Sequence, residues 1–263
     1  MLLLHGGGQT RHSWEAVAGR LADVGYRALA MDLRGHGESD WAADGDYTIA
    51  AFARDVDATV AHLGSAPIVV GASLGGMAAL VAEGEATVQL SSGLVLVDIA
   101  PQIEPAGVDR IVSFMTAHGE GFASLDEAAD AIATYRPDRP RPADLRGLEK
   151  NLRCGPDGRW RWHWDPAFLS ADRGPSSRAD PGRLDDAARR VRVPTLLVRG
   201  RRSDLLSEAG AQHFLGLVPH ARFVDVADAG HMVVGDRNDA FSSAVVDFVA
   251  SVHEARAPEE GVA

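Results

Sequence analysis

Residues 67–76, PIVVGASLGG, read as a buried strand that runs through a tight turn into a helix. The run 67–70 is short, apolar and rich in β-branched residues, as expected of a strand covered on both faces. Gly71-Ala72-Ser73-Leu74-Gly75 then fits the G-x-S-x-G turn, which holds its central hydroxyl up at the carboxyl end of a sheet. Glycine two residues to either side of Ser73 lets neighbouring backbone pass where a Cβ would collide, and Gly76 permits closer helix packing still. A serine ahead of a helix has a second use, as an N-cap that accepts from the free N–H groups of the first turn. Taken alone, Ser73 is either a nucleophile or a cap.

Working outward, apolar runs alternate with segments of helical period, the pattern of an α/β protein with a mostly parallel sheet flanked by helices. Strands are expected at residues 2–4, 26–32, 67–70, 93–99, 194–198 and 221–226. Trp14, Val17, Ala18 and Leu21 recur at helical spacing, and Gly25 stands where a helix-ending glycine belongs. Ile49, Phe52, Val56, Val60 and Leu63 mark a second helix face, and Phe241, Val245, Phe248 and Val252 mark the last. The rhythm breaks after Pro101: helical segments are expected at 108–117 and 125–135, but no buried strand before residue 193. The stretches 136–144 and 172–183, rich in Arg, Pro and Asp, read as surface connections. The division expected is a core of residues 1–100 and 191–263 with an insertion at 101–190. The residues from Arg256 onward read as a frayed tail.

A serine hydroxyl needs a base, and the base a carboxylate that holds its tautomer. His231 ends the strand and short loop of residues 224–231, VDVADAGH, and Asp204 follows the strand and turn of residues 193–200. Each falls at the carboxyl end of a strand. The bland alternatives are a loop histidine and a helix N-cap. Asp98, which ends GLVLVDI at 93–99, is a rival for the acid; Asp204 is preferred because its loop length and the following Leu205-Leu206 fit the common arrangement. An oxyanion also needs donors, each worth about 3 to 4 kcal/mol in the transition state. His5-Gly6-Gly7-Gly8 follows the first strand, so the N–H of Gly7 is assigned as one donor and that of Leu74 as the other. The same glycines lack both the G-x-G-x-x-G spacing and a following Lys-Ser/Thr pair, which argues against a phosphate loop.

With these pieces in place the sequence resembles the α/β-hydrolase superfamily, specifically its capped serine hydrolases. The resemblance is carried by HGGGQTRHSW at 5–14, DLRGHGESD at 32–40, GASLGG at 71–76, Asp204 and Gly230-His231. It implies an esterase- or lactonase-like α/β-hydrolase fold in which residues 101–190 form a helical cap. In such proteins the loop at 32–40 packs beside the nucleophile turn, so Asp32, Arg34, His36 and Ser39 are expected to be structural. Serine at position 73 disfavours the epoxide hydrolases and haloalkane dehalogenases, which attack with aspartate. The family sheet has two strands ahead of the one leading into His5-Gly6, and here that strand begins at Met1. The first two strands are therefore expected to be missing, as from a start placed too far downstream or a shortened chain. Residues 26–32 would then be left at an open edge.

Composition narrows the partners. At 263 residues the chain amounts to one or two domains of about 150 residues, with room for a substantial core. Its net charge of −11 repels phosphate backbones and anionic lipid, so neither nucleic acid nor a membrane is expected as a partner. Cys154 is the only cysteine, which excludes an intrachain disulfide and suits the cytoplasm. The opening Leu2-Leu3-Leu4 has no basic lead and is too short for an export signal. No metal or organic cofactor is implied. Arg159-Trp160-Arg161-Trp162-His163-Trp164 alternates with period two, so its indoles, with Met77, Phe114 and Met115, are pocket candidates, although large apolar side chains more often serve packing. The function expected is hydrolysis of a small or medium carboxylic ester or lactone. The alternatives are carbon–carbon bond hydrolysis or cofactor-free haloperoxidation with the same triad, and, from another class, a receptor or interaction module with a vestigial site.

Overall fold

The computed structural model describes residues 1–137, 139–170, 174, 181–227, 229–231 and 239–255. The expected tail from Arg256, and most of the surface connection at 172–183, lie outside them. Among the described residues six strands form one parallel sheet: β1 (Leu2–Leu4), β2 (Leu29–Met31), β3 (Ile68–Ala72), β4 (Gly93–Val97), β7 (Thr195–Gly200) and β8 (Arg222–Val226), in the order β2-β1-β3-β4-β7-β8. Around them run α1 (Glu15–Asp23), α2 (Ile49–Leu63), α3 (Leu74–Glu85), α7 (Glu208–Leu217) and α8 (Asp239–Glu254).

The central strands are continuous apolar runs because helices cover both faces. Alternate residues feed two cores. Leu2, Leu4, Val69, Leu94 and Leu96 point toward Phe52 and Val56 of α2 and Leu80 of α3. Leu3, Val70, Val95 and Leu196 point the other way, onto Trp14, Leu21 of α1, and Phe241 and Phe248 of α8. Since all the pairings are parallel, every strand ends on the same side. The turns after β1, β3, β4, β7 and β8 therefore gather along one edge, where ligands of open parallel sheets bind.

At the other margin β2 is the edge strand, half-buried throughout and only three residues long against the seven expected. It pairs solely through Leu29, Ala30 and Met31, opposite Leu2, Leu3 and Leu4, because β1 offers three residues to pair with. Gly25 takes the expected left-handed conformation, with φ +87°, and its N–H returns to Ala22. Among the described residues no helix is long and apolar enough to cross a membrane.

The segment between β4 and β7 holds α4 (Pro105–Thr116), α5 (Leu125–Tyr135), α6 (Pro181–Arg190) and two strands that the sequence reading missed, β5 (Leu152–Cys154) and β6 (Trp160–Trp162). These two pair antiparallel, Leu152 opposite Trp162 and Cys154 opposite Trp160. Three residues of alternating Trp and Arg do not make the apolar run that marks a buried strand. The turn between them was visible as Gly155-Pro156-Asp157-Gly158, with Gly158 at φ +75°. Helix α6, expected in the insertion, packs instead on α3 of the core layer, where Ala187 and Ala188 are buried. The approach is close enough that a Cβ at Gly84 would lie 2.6 Å from the Ala187 carbonyl carbon and closer still to its oxygen.

That contact is backbone against backbone and has no side chain to yield. Gly84→Ala is expected to lower unfolding stability by about 1–3 kcal/mol despite the better helix propensity of alanine. Urea denaturation of the two proteins measures it; an unchanged or raised midpoint would show that α6 does not press on α3 as described.

Candidate active site

Ser73 sits between β3 and α3 at φ +46°, ψ −116°. Such a backbone costs of order 1–3 kcal/mol and persists only where its surroundings enforce it. Here they do: a Cβ at Gly71 would lie 2.5 Å from the Gly75 carbonyl oxygen, and one at Gly75 would lie 2.6 Å from that of Leu4. The Ser73 N–H is tied to the Val97 carbonyl of the neighbouring strand at 3.1 Å. Its hydroxyl makes no capping bond to α3, so the N-cap alternative does not hold.

His231 stands at the end of the loop after β8, and its Nδ1 donates to Asp98 Oδ2 at 2.7 Å. Asp98, fully buried just beyond β4, is otherwise saturated: Oδ1 accepts the Gly200 N–H at 2.8 Å and Oδ2 the Ser203 hydroxyl at 2.5 Å. Among the described residues Ser73 and Asp98 are the only non-glycines with positive φ, at +46° and +52°. The choice of Asp204 as the partner of His231 is therefore corrected to Asp98. The loop after β7 turns back through Ser203, whose oxygen takes the N–H groups of Leu205 and Leu206 at 3.1 Å each. Asp204 is left facing outward, ion-paired with Arg110 of α4 at 2.8 Å. Sequence spacing could not separate the two acids. What separates them is the course of the loop after β7, whose Gly200 N–H and Ser203 hydroxyl fold onto Asp98 while Asp204 is turned out to Arg110.

The glycine loop after β1 is held by its neighbours' side chains. The Gly6 N–H donates to Gln9 Oε1 at 3.0 Å and the Gly8 N–H to His36 Nε2 at 3.1 Å. Between them the Gly7 N–H has no partner among the described residues, and neither has that of Leu74 at the first position of α3. A Cβ at Gly6 would sit 3.3 Å from Ser73 Cβ, so this loop borders the serine. The 32–40 loop behaves as the structural element expected. Asp32 accepts the N–H groups of Arg11 at 2.6 Å and Glu38 at 3.0 Å, Arg34 pairs with Asp55, and the Ser39 hydroxyl donates to the Asp32 carbonyl.

Ser73, Leu74, Gly7 and His231 line one cavity of about 1120 Å³. Met77, Phe114, Trp162 and Trp164 line it as expected, the two indoles stacked 4.9 Å apart. Trp160 does not. It packs with Phe122 and Leu152, joined to Phe122 by a strand-like bridge, so its place as a pocket residue is corrected. Met115 lines the cavity as expected too, whereas Tyr135 and Phe168 also line it and went unnoticed, because apolar residues of an insertion carry no mark of which way they face. Among the described residues no group of three His, Cys, Asp or Glu side chains is arranged to hold a metal ion.

Three buried histidines surround the glycine loop, and burial pushes all of them down: His5 to about 3, His36 to about 4 and His163 to about 3. The unfolded chain binds protons at these residues below about pH 6.5 while the folded chain does not, so stability must fall on acidification. Each contributes up to about 1.4 kcal/mol per pH unit between its unfolded and folded values. Glu83, raised by burial, opposes them in part. Urea midpoints should decline from pH 7 to pH 5, and His36→Gln, though less stable at pH 7, should decline less steeply. Equal slopes would mean His36 is not held neutral.

Residues 1–244 match the sequence pattern of the Alpha/beta hydrolase family. The esterase Rv0045c of Mycobacterium tuberculosis is 30% identical, over 97% of this chain and 83% of its own. The 2-(acetamidomethylene)succinate hydrolase of Mesorhizobium japonicum is 28% identical, over 95% of this chain and 87% of its own. A crystal structure of an E-2-(acetamidomethylene)succinate hydrolase superposes with a TM-score of 0.84 at 28% identity, over 95% of this chain and 91% of that one. The enol-lactonase of Burkholderia xenovorans superposes with a TM-score of 0.71 at 26% identity, over 95% and 90%. By its sequence pattern and by its parallel sheet, this chain belongs to the alpha/beta hydrolase family.

Proposed function

We propose that the chain hydrolyses carboxylic esters or lactones through Ser73, His231 and Asp98, by way of an acyl-enzyme, with the segment between β4 and β7 serving as a cap over the cavity. The observation that carries this reading is the 2.7 Å bond to a buried Asp98 from Nδ1 of His231, which lines the same cavity as the strained Ser73. With its Nδ1 proton committed to Asp98, the imidazole has Nε2 free to take a proton. Ser73 Oγ attacks the acyl carbonyl and gives its proton to Nε2. The N–H groups of Gly7 and Leu74 hold the resulting oxyanion, and its collapse expels the alcohol, which leaves with the proton from Nε2. Water then enters, loses a proton to Nε2 and releases the acid, restoring the serine. The names of the relatives, an esterase and an enol-lactonase, support ester or lactone substrates.

The cavity walls favour an apolar acyl group larger than acetyl. At about 1120 Å³ the space is at the upper limit of small-molecule sites, and Met77, Met115, Phe114, Trp162 and Phe168 supply its surface. Each buried methylene is worth about 0.8 kcal/mol, roughly fourfold in affinity. For p-nitrophenyl esters, kcat/KM should therefore climb from acetate toward octanoate; a profile that peaks at acetate would reject the apolar acyl site.

The triad is tested by substitution. Ser73→Ala should abolish turnover and labelling by a fluorophosphonate probe. Asp98→Asn should lower kcat by about 10⁴ through loss of the imidazole's orientation, while Asp204→Asn should stay within a few-fold of the parent. A folded protein that neither labels nor turns over any ester would mark a binding module instead. Loss of activity in Asp204→Asn with retention in Asp98→Asn would overturn the assignment of the acid.

A further inference from the structure

The donor at Gly7 belongs to a loop of three consecutive glycines, a stretch with no stiffness of its own. Gly8 is also in the left-handed region, at φ +73°. Its rigidity must come from outside, and the hydrogen bonds on either side of the Gly7 N–H show from where. The Gly6 carbonyl accepts from His5 Nδ1 at 2.8 Å, and the Gly8 N–H is taken by His36 Nε2. The Gly6 carbonyl also takes the Gln9 N–H at 3.1 Å, and the Gly8 carbonyl accepts from Nε2 of His163 at 3.3 Å. His5 and His36 come from the sheet edge. His163 does not: it lies just after β6, in the segment inserted between β4 and β7, where it is buried with its ring edge-on to Trp164.

The same ring reaches a second loop. Its Nδ1 accepts the Gly37 N–H at 2.7 Å, which leaves the ring proton on Nε2, facing the Gly8 carbonyl. The inserted segment is docked there by other contacts as well. The Asp165 N–H donates to the Gly35 carbonyl at 2.9 Å and the Tyr47 hydroxyl to Asp165 Oδ2 at 2.6 Å. Docking alone would not need an imidazole that bridges the two loops.

We infer that His163 is a positioning residue for the reaction: the Gly7 N–H lies in the plane of the Gly6 carbonyl, which His5 and the Gln9 N–H hold, and by fixing the Gly8 carbonyl from the inserted segment His163 anchors the other end of the loop, so that the Gly7 N–H stays aimed at the oxyanion. The inference rests on the proposed acyl-transfer reading, in which Gly7 is a donor. A neutral ring suits the role, since a proton on Nδ1 would face the Gly37 N–H. Burial, His36 and Arg153 all hold the His163 pKa down, against Asp32, which raises it.

The two ends of the ring can be removed separately. In His163→Asn the amide oxygen replaces Nδ1 and keeps the Gly37 contact, but nothing reaches Gly8. In His163→Gln the amide nitrogen replaces Nε2 and keeps the Gly8 contact. With a p-nitrophenyl ester, H163N is expected to lose about ten- to a hundredfold in kcat with KM within about threefold, and H163Q to recover kcat to within about threefold of the parent. H163N at the parent kcat, a change in KM alone, or equal losses in both variants would overturn the inference while leaving the triad standing. Failure of the acyl-transfer reading shows separately, as ester turnover by Ser73→Ala equal to that of the parent. Should H163N not fold, the imidazole ¹⁵N spectrum of the unsubstituted protein decides: a neutral Nε2–H tautomer at His163 from pH 8 to pH 5 is expected, and a charged ring or the opposite tautomer there overturns it.

Discussion

The first turn of α3 lies so close to the end of β1 that a methyl group on Gly75 would not clear the Leu4 carbonyl. Much of the site follows from this approach. It demands glycine at 71, 75 and 76, forces Ser73 into a conformation that other non-glycine residues avoid, and brings the serine against the loop that follows β1. The strain is local, and it is held by close contacts with β1 and by the Ser73 N–H bond to β4. A looser packing of α3 would relax the turn and let the serine become an ordinary helix cap.

The parallel sheet does the rest of the gathering. Its strands all end on one side, so chemistry-bearing residues need only occupy the positions just past a strand to meet. This rule found Ser73 and His231 in the sequence, along with the glycine loop. It could not choose between Asp98 and Asp204, because both stand just past a strand and both loops are compatible with the role. The decision was made by the loop after β7 and by α4: Gly107 packs against the Asp204 backbone, Arg110 takes its carboxylate, and Asp98 remains inside beside the histidine. Those contacts join segments far apart in the chain, and no local window of the sequence expresses them.

What was legible tracks how much a residue's role depends on its immediate neighbours. The strands and helices of the core were visible from apolar period, and the nucleophile turn from its glycines. The β5 and β6 pair was hidden because each strand is only three residues long and an alternation of Arg with Trp lacks the apolar run of a buried strand, and the fate of each tryptophan was hidden because the direction of a side chain in an insertion depends on what it docks against. Trp160 and Trp162 lie on the same strand, two residues apart. Both pack against the cluster of Phe122, Ala128 and Leu152, and Trp162 also reaches the cavity, where it stacks on Trp164.

The cavity divides its labour along the same boundary. The groups that would act on substrate, the Ser73 hydroxyl, the His231 imidazole and the N–H groups of Gly7 and Leu74, all come from turns at the sheet edge. Most of its apolar wall comes from the inserted segment, through Phe114, Met115, Tyr135, Trp162, Trp164 and Phe168. Parts fixed by a stiff sheet hold geometry to fractions of an ångström, which bond-making requires. Parts carried by an insertion can exchange one hydrophobe for another at little cost to that geometry. Substitutions in the wall should then alter which acyl group fits and leave the chemistry alone. His163 breaks this division, since it belongs to the inserted segment yet holds a carbonyl of the loop that carries Gly7, so that segment is tied to the chemistry through this ring.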